Sequence, residues 1–90
     1  MVGAKTISLL RSLLYSEFYE LYEFYMLDLE FGKKCPELWN QEASKKYKED
    51  CNEVITALSE VCSISYEEAE KQLVGFYNRK KIRQQEKKEA

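Results

Sequence analysis

Cys35, Cys51 and Cys62 are the residues of this sequence best suited to nucleophilic or metal chemistry, and none has the company such chemistry needs. No histidine occurs, so no thiol has an imidazole base, and a tetrahedral zinc site would need carboxylates to complete it. There is no CxxC spacing, and the odd count leaves any disulfide framework incomplete. The three read as small buried apolar residues in a reducing compartment. Sixteen carboxylates offer many pairs, yet nearly all fall where a solvated helix face expects them in a chain that is 33% charged. A Gly-rich phosphate loop and a nucleophile elbow are both missing. The sequence points away from catalysis and calls for no metal or cofactor.

Binding chemistry has two candidates. The first is the basic run Arg79, Lys80, Lys81, Arg83, Lys87 and Lys88, which could track phosphates by releasing counterions from duplex DNA. The bland reading is a solvated C-terminal helix whose cations suit its dipole end. The formal charge of −2 divides as −3 over residues 1–43, −1 over 44–65 and +2 over 66–90, so a nucleic-acid role would rest on this run alone. The second candidate is the stretch YSEFYELYEFYMLDLEF, residues 15–31, which holds seven of the chain's twelve aromatic rings. So many rings on one segment imply either an aromatic core or a surface that meets a partner.

Helical spacing recurs along the chain and strand alternation is nowhere sustained. Advancing about 100° per residue puts Tyr15, Phe18, Tyr22, Tyr25, Met26 and Leu29 on one face, with Glu20, Glu23 and Glu30 opposite. Phe24, Leu27 and Phe31 form a second apolar strip roughly across from the first. They either cover other parts of the chain or stay exposed for a partner, where burying each would be worth about 1.5–3 kcal/mol. Ile7, Leu10 and Leu14 continue the spacing upstream, so the first helix begins near Thr6 or follows a short one. Gly32 and Pro36 are expected to stop it. A second helix is expected from about Ser44 to Cys62, with a stripe of Tyr47, Cys51, Val54, Leu58 and Val61. Ser65 and Glu68 read as a capping box for a third, whose stripe is Tyr66, Ala69, Leu73, Phe76 and Tyr77.

No window reaches the roughly 18 apolar residues that cross a bilayer, so no membrane role is expected. The opening MVGAKTISLLRSLLYS has Lys5 and Arg11, three serines and no acid, a weak mark of a mitochondrial presequence. Arg11 interrupts its apolar run and no small-residue cleavage site follows, which argues against a secretory signal.

From about Phe24 onward the pattern resembles the MADF domain, a Myb/SANT-like three-helix module of animal transcription factors. CPELWN supplies Pro36, Leu38, Trp39 and Asn40 where that module has Pro, Leu, an aromatic and Asp or Asn, and Tyr47 serves for its next Tyr. In CNEVITAL, Val54 and Leu58 keep the aliphatic positions, while Cys51 stands where the family has Trp. Ser65, Glu67 and Glu68 match the start of its last helix, followed by Leu73, Phe76 and the basic Arg79 to Lys81. Cys51 and Leu73 replace two core tryptophans. The span from Tyr66 to Asn78 carries three acids and one lysine, where DNA-binding members are basic.

The resemblance implies an all-α, helix-turn-helix type bundle in a nuclear, chromatin-associated protein. The expected organisation is a single domain with an N-terminal helical extension over 1–16, a three-helix core over 17–85 and a tail over 86–90. The expected function is non-enzymatic protein binding through Phe24, Leu27 and Phe31, with Tyr19 and Tyr77 next, to another protein or a second copy. The alternative is a grip on DNA phosphates by Arg79, Lys80, Lys81 and Arg83, disfavoured by the acidic third helix. Mitochondrial localisation is the alternative if the N-terminal segment is a presequence.

Overall fold

A computed structural model describes residues 3–89, with side chains to residue 87, as three helices: α1 Ala4–Lys34, α2 Gln41–Cys62 and α3 Tyr66–Glu89. Among the described residues there is no strand, and the fold is an all-α three-helix bundle. Residues 1, 2 and 90 lie outside the described part. The N-terminal segment is no separate element, because α1 runs unbroken from Ala4. Nor is there a distinct tail at residue 86, since α3 continues to Glu89.

α1 and α2 form an antiparallel hairpin clasped at the turn. The Trp39 indole N–H donates to Asp28 Oδ2 at 3.0 Å, and its ring lies 2.9 Å from where a Cβ on Gly32 would stand. Gly32 therefore does not stop α1; it lets the indole rest on the helix backbone. The helix ends at Cys35, whose backbone departs to φ −132°, ψ 65° before Pro36. A residue preceding proline is pushed out of the α region, which is why the stop falls there. α2 starts earlier than Ser44 because Asn40 caps it, accepting from the Glu42 and Ala43 amides at 2.9 and 3.3 Å.

Ser63 closes α2 in the left-handed conformation, at φ 54°, and the Ile64 amide returns to the Ser59 carbonyl. Ser65 then caps α3 through the Glu68 amide at 3.1 Å, while the Glu68 carboxylate accepts from the Gln72 side chain. The α2 stripe holds as Cys51, Val54 and Leu58, joined by Ile55, with Tyr47 and Val61 half-buried. On α3, Ala69, Leu73 and Tyr77 are buried. Phe76 is half-buried, and Tyr66 is exposed with its hydroxyl on Asn52.

α3 lies across the hairpin. Its 24 residues should measure about 36 Å and the 31 of α1 about 46 Å, close to the two long extents of 39 and 51 Å. The third extent, 18 Å, fits two layers of helix. The radius of gyration, 15.2 Å, exceeds the roughly 12 Å of a compact 90-residue domain. So open an arrangement buries few side chains, and Phe18 is the one fully enclosed residue of α1.

Gly32→Ala should force the indole off α1 and destabilise the chain by about 1–3 kcal/mol. Fluorescence of Trp39, the sole tryptophan, should shift red in the folded state as the ring gains water. Unaltered emission and melting temperature would contradict the clasp.

Candidate functional site: an apolar strip beside a groove

The rings of α1 divide into two sets by the face they occupy. The inner set meets α3 ring on ring. Tyr22 stands edge-on to Tyr77 at 4.7 Å between centroids, Tyr19 is 5.2 Å from Tyr77, and Tyr15 is 5.0 Å from Phe76. Their hydroxyls reach the polar rim, Tyr15 donating to Gln72 and Tyr19 to Gln84. Tyr77 donates to Glu23 at 3.1 Å, and the same carboxylate takes the Lys81 ammonium at 2.7 Å. Burial first, and then that bond to Glu23, push the Tyr77 phenol well above its ordinary pKa. The hydrogen bond to Glu23 likewise raises Lys81.

Two expected contact residues are corrected by this packing. Tyr77 is only 7% exposed and belongs to the core, and Tyr19 is half-buried against it. Both lie on the stripe that holds α3 down, so neither offers a free ring. Phe24, Leu27 and Phe31 are 58%, 53% and 44% exposed, on the face of α1 turned away from both other helices. Of the two readings open for this strip, the exposed one fits: among the described residues none covers it. Met26, expected on the inner face, is also exposed.

Leu27 joins the strip to an open groove of about 680 Å³ between the second half of α1, Trp39 and α3. Met26, Leu29, Trp39 and Tyr77 supply its apolar lining, and Glu23, Glu30, Lys33 and Lys81 its charges. Neither the groove nor the part of Trp39 in it was evident from spacing. A small residue at 32, seven before the only Trp, was the available signal.

The basic run splits as well. Lys81 is committed to Glu23, so it leaves the set proposed for phosphate. Arg79, Lys80, Arg83 and Lys87 line a second cleft of about 560 Å³ with Phe76, and Lys80 sits 4.2 Å over the Tyr19 ring. All three cysteines are free thiols, burial pushes Cys51 up to about 11, and no metal-binding cluster of three occurs among the described residues. Nor is any described helix long and apolar enough to cross a membrane.

Glu23→Ala should cost about 1–3 kcal/mol, because it strips the partner from a mostly buried phenol. Lys81→Ala removes only a partly exposed ion pair and should cost under about 1 kcal/mol. Chemical denaturation of the two variants checks the order, and equal losses would contradict it. In comparisons with known proteins, no family model, no curated protein and no solved structure matches this chain.

Proposed function

We propose that this chain is a non-enzymatic protein-docking module whose contact surface is the outward strip Phe24, Leu27 and Phe31. The observation that carries the reading is the contrast within one helix. Rings one face over are fastened to α3, while these three side chains stay near half exposed or more, next to a groove with an apolar lining. A contiguous apolar patch rimmed by charge is a common mark of an interaction site. The absence of histidine and the raised Cys51 thiol support a role without catalysis.

A chromatin-associated, nuclear setting rests on the MADF-like residues from Phe24 onward. The three-residue link Ser63 to Ser65 between α2 and α3 suits a helix-turn-helix type module, an analogy of fold alone. Tyr15 packs on Phe76, so removing residues 1–16 would open the α1–α3 contact. That favours the nuclear reading over a cleaved mitochondrial presequence.

Phe24→Glu with Leu27→Glu should keep the helical circular dichroism and change stability by less than about 1 kcal/mol, as at exposed sites. The doubled variant should lose whatever protein the unaltered chain retains. Unfolding of the variant would mean that the strip is core and would end the proposal.

A second reading has one observation in its favour, the convergence of Arg79, Lys80, Arg83 and Lys87 on one cleft. Four cations there could grip duplex phosphates with little sequence preference. The acids Glu67, Glu68 and Glu70 on the same helix oppose it. Fluorescence anisotropy with labelled random duplex should show no binding at physiological salt. Micromolar binding that falls steeply with salt and vanishes in Arg79→Ala/Arg83→Ala would put DNA ahead.

A further inference from the structure

We infer that the occupant of the strip is a second copy of this chain, seated antiparallel along α1 about a two-fold axis through Leu27. The inference rests on the docking reading above and names the partner. Glu20, Phe24, Leu27, Phe31 and Lys34 follow one another at intervals of four, three, four and three residues. That is the spacing of a helix seam. The first four are exposed on the outward face of α1, and Lys34 is the exposed last residue of that helix.

This seam is complementary to its own reversal. A two-fold axis through Leu27 lays it on the partner's Leu27 and sets Phe24 against the partner's Phe31. Glu20, seven residues before Leu27, then meets the partner's Lys34, seven residues after it. The Phe24–Phe31 and Glu20–Lys34 contacts each occur twice and the Leu27 pair on the axis once, as an isologous interface requires. An acid at both ends would repel under the same operation; here an acid and a base alternate. On the flank, Glu23 comes opposite the partner's Glu30, a like pair softened by the Lys81 ammonium already on Glu23. Asp28, on the other flank, is held by the Trp39 indole.

A competing register shows why the axis falls at Leu27. Leu9, Leu10 and Leu13 continue the exposed stripe toward the N-terminus, beyond Glu17 and Glu20. Centring the pair on Glu20 would bury Leu10 and Leu13 against the partner's Phe31 and Leu27. It would also put two Glu20 carboxylates on the axis and press Glu17 onto the partner's Phe24. Desolvating those carboxylates without partners opposes that register.

The seam is short, about 21 Å of helix and five side chains a side, against the 20–30 residues a side of a standard interface. The dimer is accordingly reversible and concentration-dependent. Sedimentation equilibrium of the purified chain from micromolar to millimolar concentration should show mass rising from monomer toward dimer. Glu20→Lys alone and Lys34→Glu alone should each weaken the dimer at least about tenfold. Both changes in one chain should restore it. A Glu20-centred pair would ignore Lys34→Glu, and that result would overturn the stated register.

A monomer at every concentration would overturn self-pairing, as would failure of the doubly changed chain to recover while its circular dichroism stays native. A photo-crosslinking residue at Leu27 separates this failure from that of the docking reading. A chain that stays monomeric but forms an adduct with one other protein of a nuclear extract would sink self-pairing alone. A chain that forms no adduct with itself or any protein would sink both.

Discussion

The contact between α1 and α3 is made ring on ring, and the rest of the molecule depends on it. Tyr77 is its centre: it touches the rings of Tyr19 and Tyr22, and its hydroxyl is anchored on Glu23. Among its described side chains, α3 has only Ala69 and Leu73 buried besides, both nearer its start. Without Tyr77 the later part of the helix would be left with the half-buried Phe76 and polar contacts such as those of Lys81 and Gln84. Aromatic pairs of this kind add about 0.5–1.5 kcal/mol beyond the area they bury, and four of them join α1 to α3 here. Tyrosine also suits the geometry better than leucine would. In a body only 18 Å thick, the far end of any large side chain comes close to water, and a phenol has a polar tip to leave there.

The same thinness leaves α1 with more apolar surface than the chain can cover. α2 and α3 both lie on one side of it, so the opposite side faces only solvent. Glu17 and Glu20 interrupt that side in the middle, leaving leucines before them and the strip of Phe24, Leu27 and Phe31 after. A globular body of this length would have wrapped further and enclosed more. The lying-across arrangement of α3 instead opens the groove at Leu27, where the strip and the inner rings come nearest each other. Fold and proposed docking surface are thus two consequences of one helix having two apolar faces.

Much of this was legible from spacing. Phe18, Tyr22 and Tyr25 fall on the face that packs inward, and Phe24, Leu27 and Phe31 on the face that does not, as a helix of 3.6 residues per turn requires. The Ser65 cap and the α2 stripe were readable for the same reason, since both depend on residues near in sequence. What was hidden depends on distant pairs. Tyr77 reads both as part of the third helix's stripe and as a contact residue until Tyr22 and Glu23 are brought beside it. Lys81 reads as one of six cations until Glu23 claims it. Gly32 reads as a stop signal, because nothing local shows that an indole needs its missing side chain. The basic cleft lost Lys81 through that long-range pairing, whereas Lys87 joins Arg79 and Arg83 by local helical spacing.

Fluorine NMR can separate the fastened face of α1 from its free face. The chain has four phenylalanines, so uniform 4-fluorophenylalanine labelling gives four resonances, assigned by single substitution. A soluble nitroxide added to a dilute sample should broaden Phe24 and Phe31 strongly and Phe76 partly, leaving Phe18 sharp. Concentrating the sample should then protect Phe24 and Phe31. Should Phe24 and Phe31 be shielded like Phe18 even at high dilution, the strip would be core and the account would be wrong.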